Sequence, residues 1–556
     1  MNILSFFLTV PGEGSKNNYM KAQTINMLSL TNVRSMAAFR NLAADFLLCL
    51  ITIVYALPTL LYPYGRDQGV FHYVGREWLN GLLPYRDLFD QKPPGIHIVY
   101  AMAHGAMGNS MIGIRIFELL GIFVMGWLIS RAFRSAQEKK AGEFGAASLL
   151  TAGWYFTSFD YWSTAQVELW ESLFLLGAFI IAERSMDRYR AAVVSGICAG
   201  VAFLFKFPSI VVSSIIAVYL VVRFAWLSKG KTPFSQVKQG LLALILFGAG
   251  ACAPIMIVTF YFLVHGGINP LVDILIEYNK VYLQKYDMGI EGMIWRSKFF
   301  LINSWPMLSL IVFLWASGCI RSIMVRDKPS ISVHLWSMAA VLAAYVSVII
   351  QKKFYLYHWI IITPFIVLCW YYGASLIARY WKNIFPVSAL VLVGTGLLFP
   401  PSWGSYYHAT YRQCTAHFWN YVLGREPRDT FLEGFTIPRF YNYKPQEHLS
   451  EIIKTLAVPG DTLHVYGCFE PAFYILTGLS SPSRFFAEFA LLDSKVTYRR
   501  NEWLKERDEA LKKSPPRFII CFTGNQNIIQ TRLGTRYKNI AQEERFVLLE
   551  RYEGGD

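Results

Sequence analysis

Runs of apolar residues about as long as a bilayer is thick recur along most of this chain, and no other property limits its fold so strongly. Crossing the hydrocarbon core takes ~20 consecutive apolar residues in a helix. Spans are expected near 41–62, 110–131, 143–159, 165–183, 191–205, 207–225, 240–264, 298–320, 331–350, 357–378 and 384–402. The chain is 556 residues long, 54% apolar, 16% aromatic and only 16% charged, as a polytopic membrane protein should be. Its net charge of +15 does not point to nucleic acid, because the basic residues cluster in short loops between spans, where the positive-inside bias puts them. The expected fold class is an α-helical polytopic membrane protein of about eleven transmembrane helices plus interfacial helices, with a small C-terminal soluble α/β domain.

Three parts are expected: a cytoplasmic leader over 1–40, a transmembrane domain over 41–404 with an outer loop 63–109, and an extracytoplasmic α/β domain over 405–556. The leader carries Lys16, Lys21, Arg34 and Arg40 and has no small-residue cleavage site after an apolar run. The apolar segment 94–108 is short and contains His97 and His104, so it reads as an interfacial helix. With that choice the inner loops are Arg131–Glu143, Arg184–Arg190, Arg223–Lys238, Arg321–Lys328 and Arg379–Lys382, each rich in Arg or Lys. An odd span number then puts the C-terminal part outside. Beyond Pro400-Pro401 strand-like runs (Thr462–Tyr466, Arg517–Phe522, Phe546–Leu549) alternate with helical ones (Leu449–Leu456, Tyr498–Lys512). Of the eight cysteines, Cys414, Cys468 and Cys521 fall in this polar part, where one disulfide is open. There is no zinc spacing, no dinucleotide fingerprint and no P-loop.

The outer loop is the chemically dense stretch. Arg66-Asp67-Gln68-Gly69 opens it, and Val70, Phe71, Val74, Trp78 and Leu82 follow at helical spacing. That pattern predicts an amphipathic helix in the interface plane, ended by Gly81 and Pro84. Tyr85, Arg86, Asp87 and Asp90 come next. Lys92-Pro93-Pro94-Gly95 is a stiff turn that holds a lysine in place. A carboxylate and an ammonium on ordered backbone at a membrane surface suit lipid-phosphate chemistry. Four other outer segments carry candidates. Glu168 and Glu171 share a helical face at the start of a span, where ionisable groups are expensive and tend to face a cavity. Lys206 is alone in a hairpin. The loop 265–297, with Asp273, Tyr282 and Lys285, suggests a third interfacial helix. Lys352 and Lys353 stand before a run of aromatics with His358, on the side where the charge bias disfavours lysine. Carrier phosphate would explain them. An aromatic belt with snorkelling lysines is the plainer alternative.

Asp67-Gln68-Gly69, Gly81 to Asp87, Lys92-Pro93-Pro94-Gly95, Gly108 and Arg115 together resemble the first outer loop of GT-C type glycosyltransferases that use polyprenyl-phosphate sugars. This superfamily includes the protein O-mannosyltransferases and the lipid A aminoarabinose transferase. Lys352 through Pro364, Val465-Tyr466-Gly467 and Phe473-Tyr474 resemble its bacterial members too. The resemblance implies that Asp67 is the catalytic base, that Lys92 holds the carrier phosphate, and that Glu168 is a second acid on an outer loop. Where several members have a second adjacent acid, this chain has Gln68. A divalent metal (Mg or Mn) on Asp67 and Glu168 is left open, since the Gln68 carbonyl can still serve a hard cation.

The expected activity is therefore transfer of a sugar from a polyprenyl phosphate to a glycolipid, polysaccharide or protein acceptor, at the outer face of the inner (cytoplasmic) membrane. Lipopolysaccharide is among the cell-envelope acceptors implied. Asp67 would take the acceptor proton. Lys92, Lys206, Lys352, Lys353 and His358 would serve the donor phosphate, and Arg66, Gln68, Tyr85 and Asp87 would shape the loop or touch substrate. Single displacement inverts the anomeric centre; a retaining route needs two carboxylates ~5 Å apart, and the sequence leaves it open. The competing readings are a transporter or flippase, which would place charges near the bilayer midplane in repeated halves, and a non-catalytic assembly subunit.

Overall fold

The computed structural model describes residues 39–552 except 133–139, 185–187, 229–231, 379, 382, 401–409 and 438–439. The expected leader lies almost wholly outside the described residues, and the basic loops near 133, 186, 230 and 380 lie partly outside them.

A helix coincides with each of the eleven expected spans: α1 (Phe39–Leu61), α4 (Ile112–Ser130), α5 (Glu143–Ser158), α6 (Val167–Glu183), α7 (Arg188–Phe205), α8 (Ile210–Leu227), α9 (Pro233–Val264), α12 (Gly289–Met324), α13 (Lys328–Ile350), α14 (Thr363–Ile377) and α15 (Ile384–Leu398). Among the described residues, eight helical stretches are long and apolar enough to cross a membrane by length and composition; α14 counts among them with the 3-10 turn Leu356–Ile362 before it. The helices α5, α6 and α15 are shorter, at 16, 17 and 15 residues. Close packing relies on small residues, as it does where lipid offers no hydrophobic drive. On α7, Gly196 and Gly200 let the backbone of α9 approach so closely that an added Cβ would overlap the carbonyls of Phe247 and Ala251.

Three further helical pieces lie outside the expected spans. α2 (Arg66–Leu79) and α3 (Gly95–Met107) fill the outer loop. The third expected piece is α10 (Ile268–Val272), a π turn (Asp273–Tyr278) and α11 (Asn279–Gln284). Helix α3 has the two-sided character of an interfacial helix: Ile96, Val99 and Tyr100 are buried, whereas Ile98, Met102 and Met107 are exposed. The structure corrects the expectation for α2. Gln68 through Glu77 are all buried, so the helix does not rest with one face in water. Its Gly75 abuts α3, where a Cβ would fall 2.6 Å from the Ala101 nitrogen. Segment 470–481 of the C-terminal part covers the opposite side. The helix ends at Leu79, and the chain turns through Gly81 at φ +96°.

The C-terminal part forms one four-stranded sheet in the order β1 (Leu463–Tyr466), β2 (Phe518–Phe522), β4 (Phe546–Arg551), β3 (Tyr537–Glu543). β1 and β2 are parallel, Leu463 opposite Phe518; β2–β4 and β4–β3 are antiparallel. Strand alternation divides the core. Leu463, Val465, Phe518, Ile520 and Leu548 pack towards Phe473, Tyr474 and Leu449. Tyr466, Ile519, Cys521, Val547 and Leu549 pack on Leu511 and Ile529. Helices Lys444–Leu456 and Arg500–Lys513 match the expected ones, and β3 is an addition. Cys414, Cys468 and Cys521 are buried, and none forms a disulfide among the described residues.

Candidate active site

Segments far apart in sequence meet at one end of the helix bundle, and between each and the next run two of the long helices. The first brings Asp67 and Lys92. Gly65 precedes α2 without a side-chain cap, so the neighbours of Asp67 hold its turn. On one side Arg66 binds Glu470 at 2.8 Å and the Phe440 carbonyl at 3.0 Å. On the other, the Gln68 amide donates to the carbonyls of Trp162 and Thr164, both at 2.9 Å. Gln68 is thus an anchor between α2 and the loop before α6.

Lys92 is set by its backbone. The buried Tyr85, held at φ +71°, donates its hydroxyl to the Lys92 carbonyl at 2.8 Å. Asp87 accepts from the Leu83 nitrogen at 2.8 Å and braces the same turn while pairing with Arg86. Asp90 bonds His97 at 2.7 Å. Pro94 then starts α3, and Gly95 lies so near the end of α7 that a Cβ would stand 2.8 Å from the Leu204 carbonyl. That contact brings the Lys92 turn beside Lys206.

Tyr357 is at the middle. Its hydroxyl faces the Asp67 carboxyl and favours the charged form, and the ammonium groups of Lys92 and Lys206 lie 5.6 and 5.8 Å from its ring centroid. Burial pushes the Asp67 carboxyl above its ordinary range; Lys92 opposes that shift, and Asp90 and Glu168 add to it. Glu168, fully buried in the first turn of α6, is ion-paired with Lys206, and His358 Nε2 is 3.9 Å from the same carboxylate oxygen. Lys206 and His358 therefore line the Glu168 side of the cluster, where the lysine already has a carboxylate partner. Glu171 is buried one turn further along.

The two adjacent lysines part company. Lys352, at φ +57°, turns outward to pair with Asp287 at 3.0 Å. Phe354 is also left-handed, at φ +50°, and between them Lys353 turns inward over the Tyr282 ring at 4.2 Å. Positive φ at two such residues costs on the order of 1–3 kcal/mol each, which the surrounding contacts must offset. Burial, then Lys92, Lys206 and Lys285, push the Lys353 ammonium well below the ordinary lysine range. Its contact with Tyr282 is worth about 2 kcal/mol when desolvated, against several for desolvating an ammonium. A bound anion would hold Lys353 in its charged form, whereas Lys352 is not part of the cluster. The sequence reading named Tyr282 only as part of its loop and gave neither it nor Tyr357 a role at the site.

Asp67 faces Lys92 and the Tyr357 hydroxyl, and Glu168 faces Lys206. Among the described residues no three His, Cys, Asp or Glu side chains gather as a metal site.

Residues 91–250 match the sequence model of the dolichyl-phosphate-mannose-protein mannosyltransferase family. No curated protein matches the chain by sequence. The fold is similar to that of ArnT from Cupriavidus metallidurans in the apo state, with TM-score 0.56 and 13% identity, over 91% of this chain and 97% of that one. The same protein bound to undecaprenyl phosphate gives TM-score 0.57 and 13% identity over the same shares. The chain has a GT-C type membrane fold.

Proposed function

We propose that this GT-C-fold membrane protein is a glycosyltransferase that moves a sugar from a polyprenyl-phosphate donor to a glycolipid, polysaccharide or protein acceptor by inverting displacement. The observation that carries the reading is the grouping of Asp67 with Lys92 around Tyr357, beside the under-neutralised Lys353. The match to a mannosyltransferase family and the similarity to a protein that binds undecaprenyl phosphate support it. So does the placing of these charges in loops and first turns at one end of the bundle, which a transporter site at the bilayer midplane would not require. The site and the C-terminal domain face away from the cytoplasm of the cell membrane, as the basic bias of the opposite loops indicates.

Lys92 and Lys353 receive the donor phosphate and the charge that grows on it as the glycosidic bond breaks. Asp67 takes the proton of the acceptor hydroxyl as that oxygen attacks the anomeric carbon. Tyr357 orients the carboxylate. Glu168 is neutralised by Lys206, so it is poorly placed to serve as the second nucleophile that retention requires. Ammonium groups supply the positive charge here, and transfer should persist in a chelator.

The burial of Asp67 gives a pH dependence. A carboxyl with a raised pKa is deprotonated only above that raised value, so a base of this kind is lost as pH falls through it. The acid limb of kcat/KM is expected above the ordinary aspartate range of about 4, and a pH–rate profile of the purified protein measures it.

The donor class is tested with purified enzyme, an acceptor, and one sugar offered either on undecaprenyl phosphate or on a nucleotide. Transfer from the lipid-linked donor alone is expected. Transfer from the nucleotide sugar alone would overturn the reading.

A further inference from the structure

We infer that Glu470, in the C-terminal domain, is a positioning residue for Asp67; the inference rests on the role proposed for Asp67 above. One face of α2 is gripped by segment 470–481. Arg66 binds Glu470, Gly69 abuts Pro471, Tyr73 accepts a hydrogen bond from the Ser481 nitrogen at 2.8 Å, Arg76 donates to the carbonyls of Tyr474 and Leu479, and Glu77 accepts from Ser480 at 2.7 Å. Positions 66, 69, 73, 76 and 77 share one side of a helix. The domain is thus docked along the length of the helix whose first turn carries the base.

The contact nearest the base differs from the rest. Glu470 is fully buried and stands between two guanidinium groups, Arg66 at 2.8 Å and Arg545 at 3.4 Å, with Gln446 donating to its other oxygen at 3.2 Å. Arg66 also lies over the Phe440 ring at 4.4 Å. Since Gly65 offers no capping side chain, this pair does for the start of α2 what a cap would do. Arg66 fastens the turn to the C-terminal domain and Gln68 fastens it to the loop before α6. Asp67, between them, has no freedom to swing while both hold. Neutralising Glu470 leaves Arg66 and Arg545 facing each other without the carboxylate, and Arg66, which is partly exposed, can leave. The donor cation Lys92, on a turn held by Tyr85, and Lys353, before α14, keep their places.

The test is Glu470→Gln in the full-length protein. Displacing a reacting group by about 1 Å costs up to ~10²-fold, so kcat is expected to fall about 10–100-fold with the donor KM nearly unchanged. Glu470→Asp, which keeps the charge, should recover part of the loss. In Asp67→Asn, which lacks the base, adding Glu470→Gln should lower the residual rate no further, since the two act through one group. Ser480→Ala, which loosens the far end of α2, should leave kcat close to normal. Three results overturn the inference: a normal kcat in Glu470→Gln, equal losses with and without Asp67, or the same loss in Ser480→Ala. A fully active Asp67→Asn would instead refute the base, and that single variant shows it before the cycle is built. If Glu470→Gln does not fold, Arg66→Lys carries the same cycle, because it weakens the other half of the pair.

Discussion

Asp67→Asn is expected to lower sugar transfer about 10²–10⁴-fold, the usual cost of removing a general base, while the protein inserts and folds normally. Asparagine has nearly the same shape, so Arg66 and Gln68 on either side keep their bonds to Glu470 and to the loop before α6. Only the capacity to take a proton is lost. Transfer rate and thermal stability measured on one purified preparation check both halves of this expectation. Near-normal activity in a stable Asp67→Asn protein would remove Asp67 from the chemistry.

Lys92→Ala is expected to lower turnover about 10²–10³-fold, as loss of one preorganised group facing developing charge does, and to raise the donor KM. The turn itself should survive, because Tyr85 binds the Lys92 backbone carbonyl and Pro93 and Pro94 limit the chain beyond. A second readout separates charge from structure. The Lys92 ammonium opposes the burial that raises the Asp67 pKa, so the acid limb of the residual activity should move to higher pH. Lys92→Arg keeps the charge and should leave that limb near its original position. An unchanged donor KM together with an unchanged acid limb in Lys92→Ala would place the lysine away from both phosphate and base.

Most of the helical layout was legible because each span must be apolar for its full length, and nothing else in a sequence is so plain. Asp67, Lys92, Glu168 and Lys206 were legible as residues, but the pairing of Glu168 with Lys206 was not, because it depends on how α6 and α7 meet. Which of Lys352 and Lys353 turns inward depends on left-handed backbone at residues 352 and 354, and neither is a glycine that would have signalled it. The amphipathic pattern of α2 was read correctly as a helix but placed in the interface, because its cover comes from residues roughly four hundred positions downstream. Tyr357 was hidden among neighbouring aromatics of the kind that decorate any membrane interface. The strand Tyr537–Glu543 was passed over because its residues are polar, which suits its place at the sheet edge, where Lys538, Asn539 and Gln542 are exposed or partly so.

The pairs of helices between successive site segments impose a rule of parity on the lineage of such a protein. Two lie between Lys92 and Glu168, two between Glu168 and Lys206, two between Lys206 and Tyr282, and two more before Lys353. Gaining or losing a single one of them would strand every later segment on the wrong side of the bilayer, leaving the proposed base in one compartment and the proposed donor cations in the other. Gaining or losing a hairpin would not. Descendants of this architecture can therefore grow or shrink by twos, and the loops on the far side, which no site segment touches, are where such changes go unpunished.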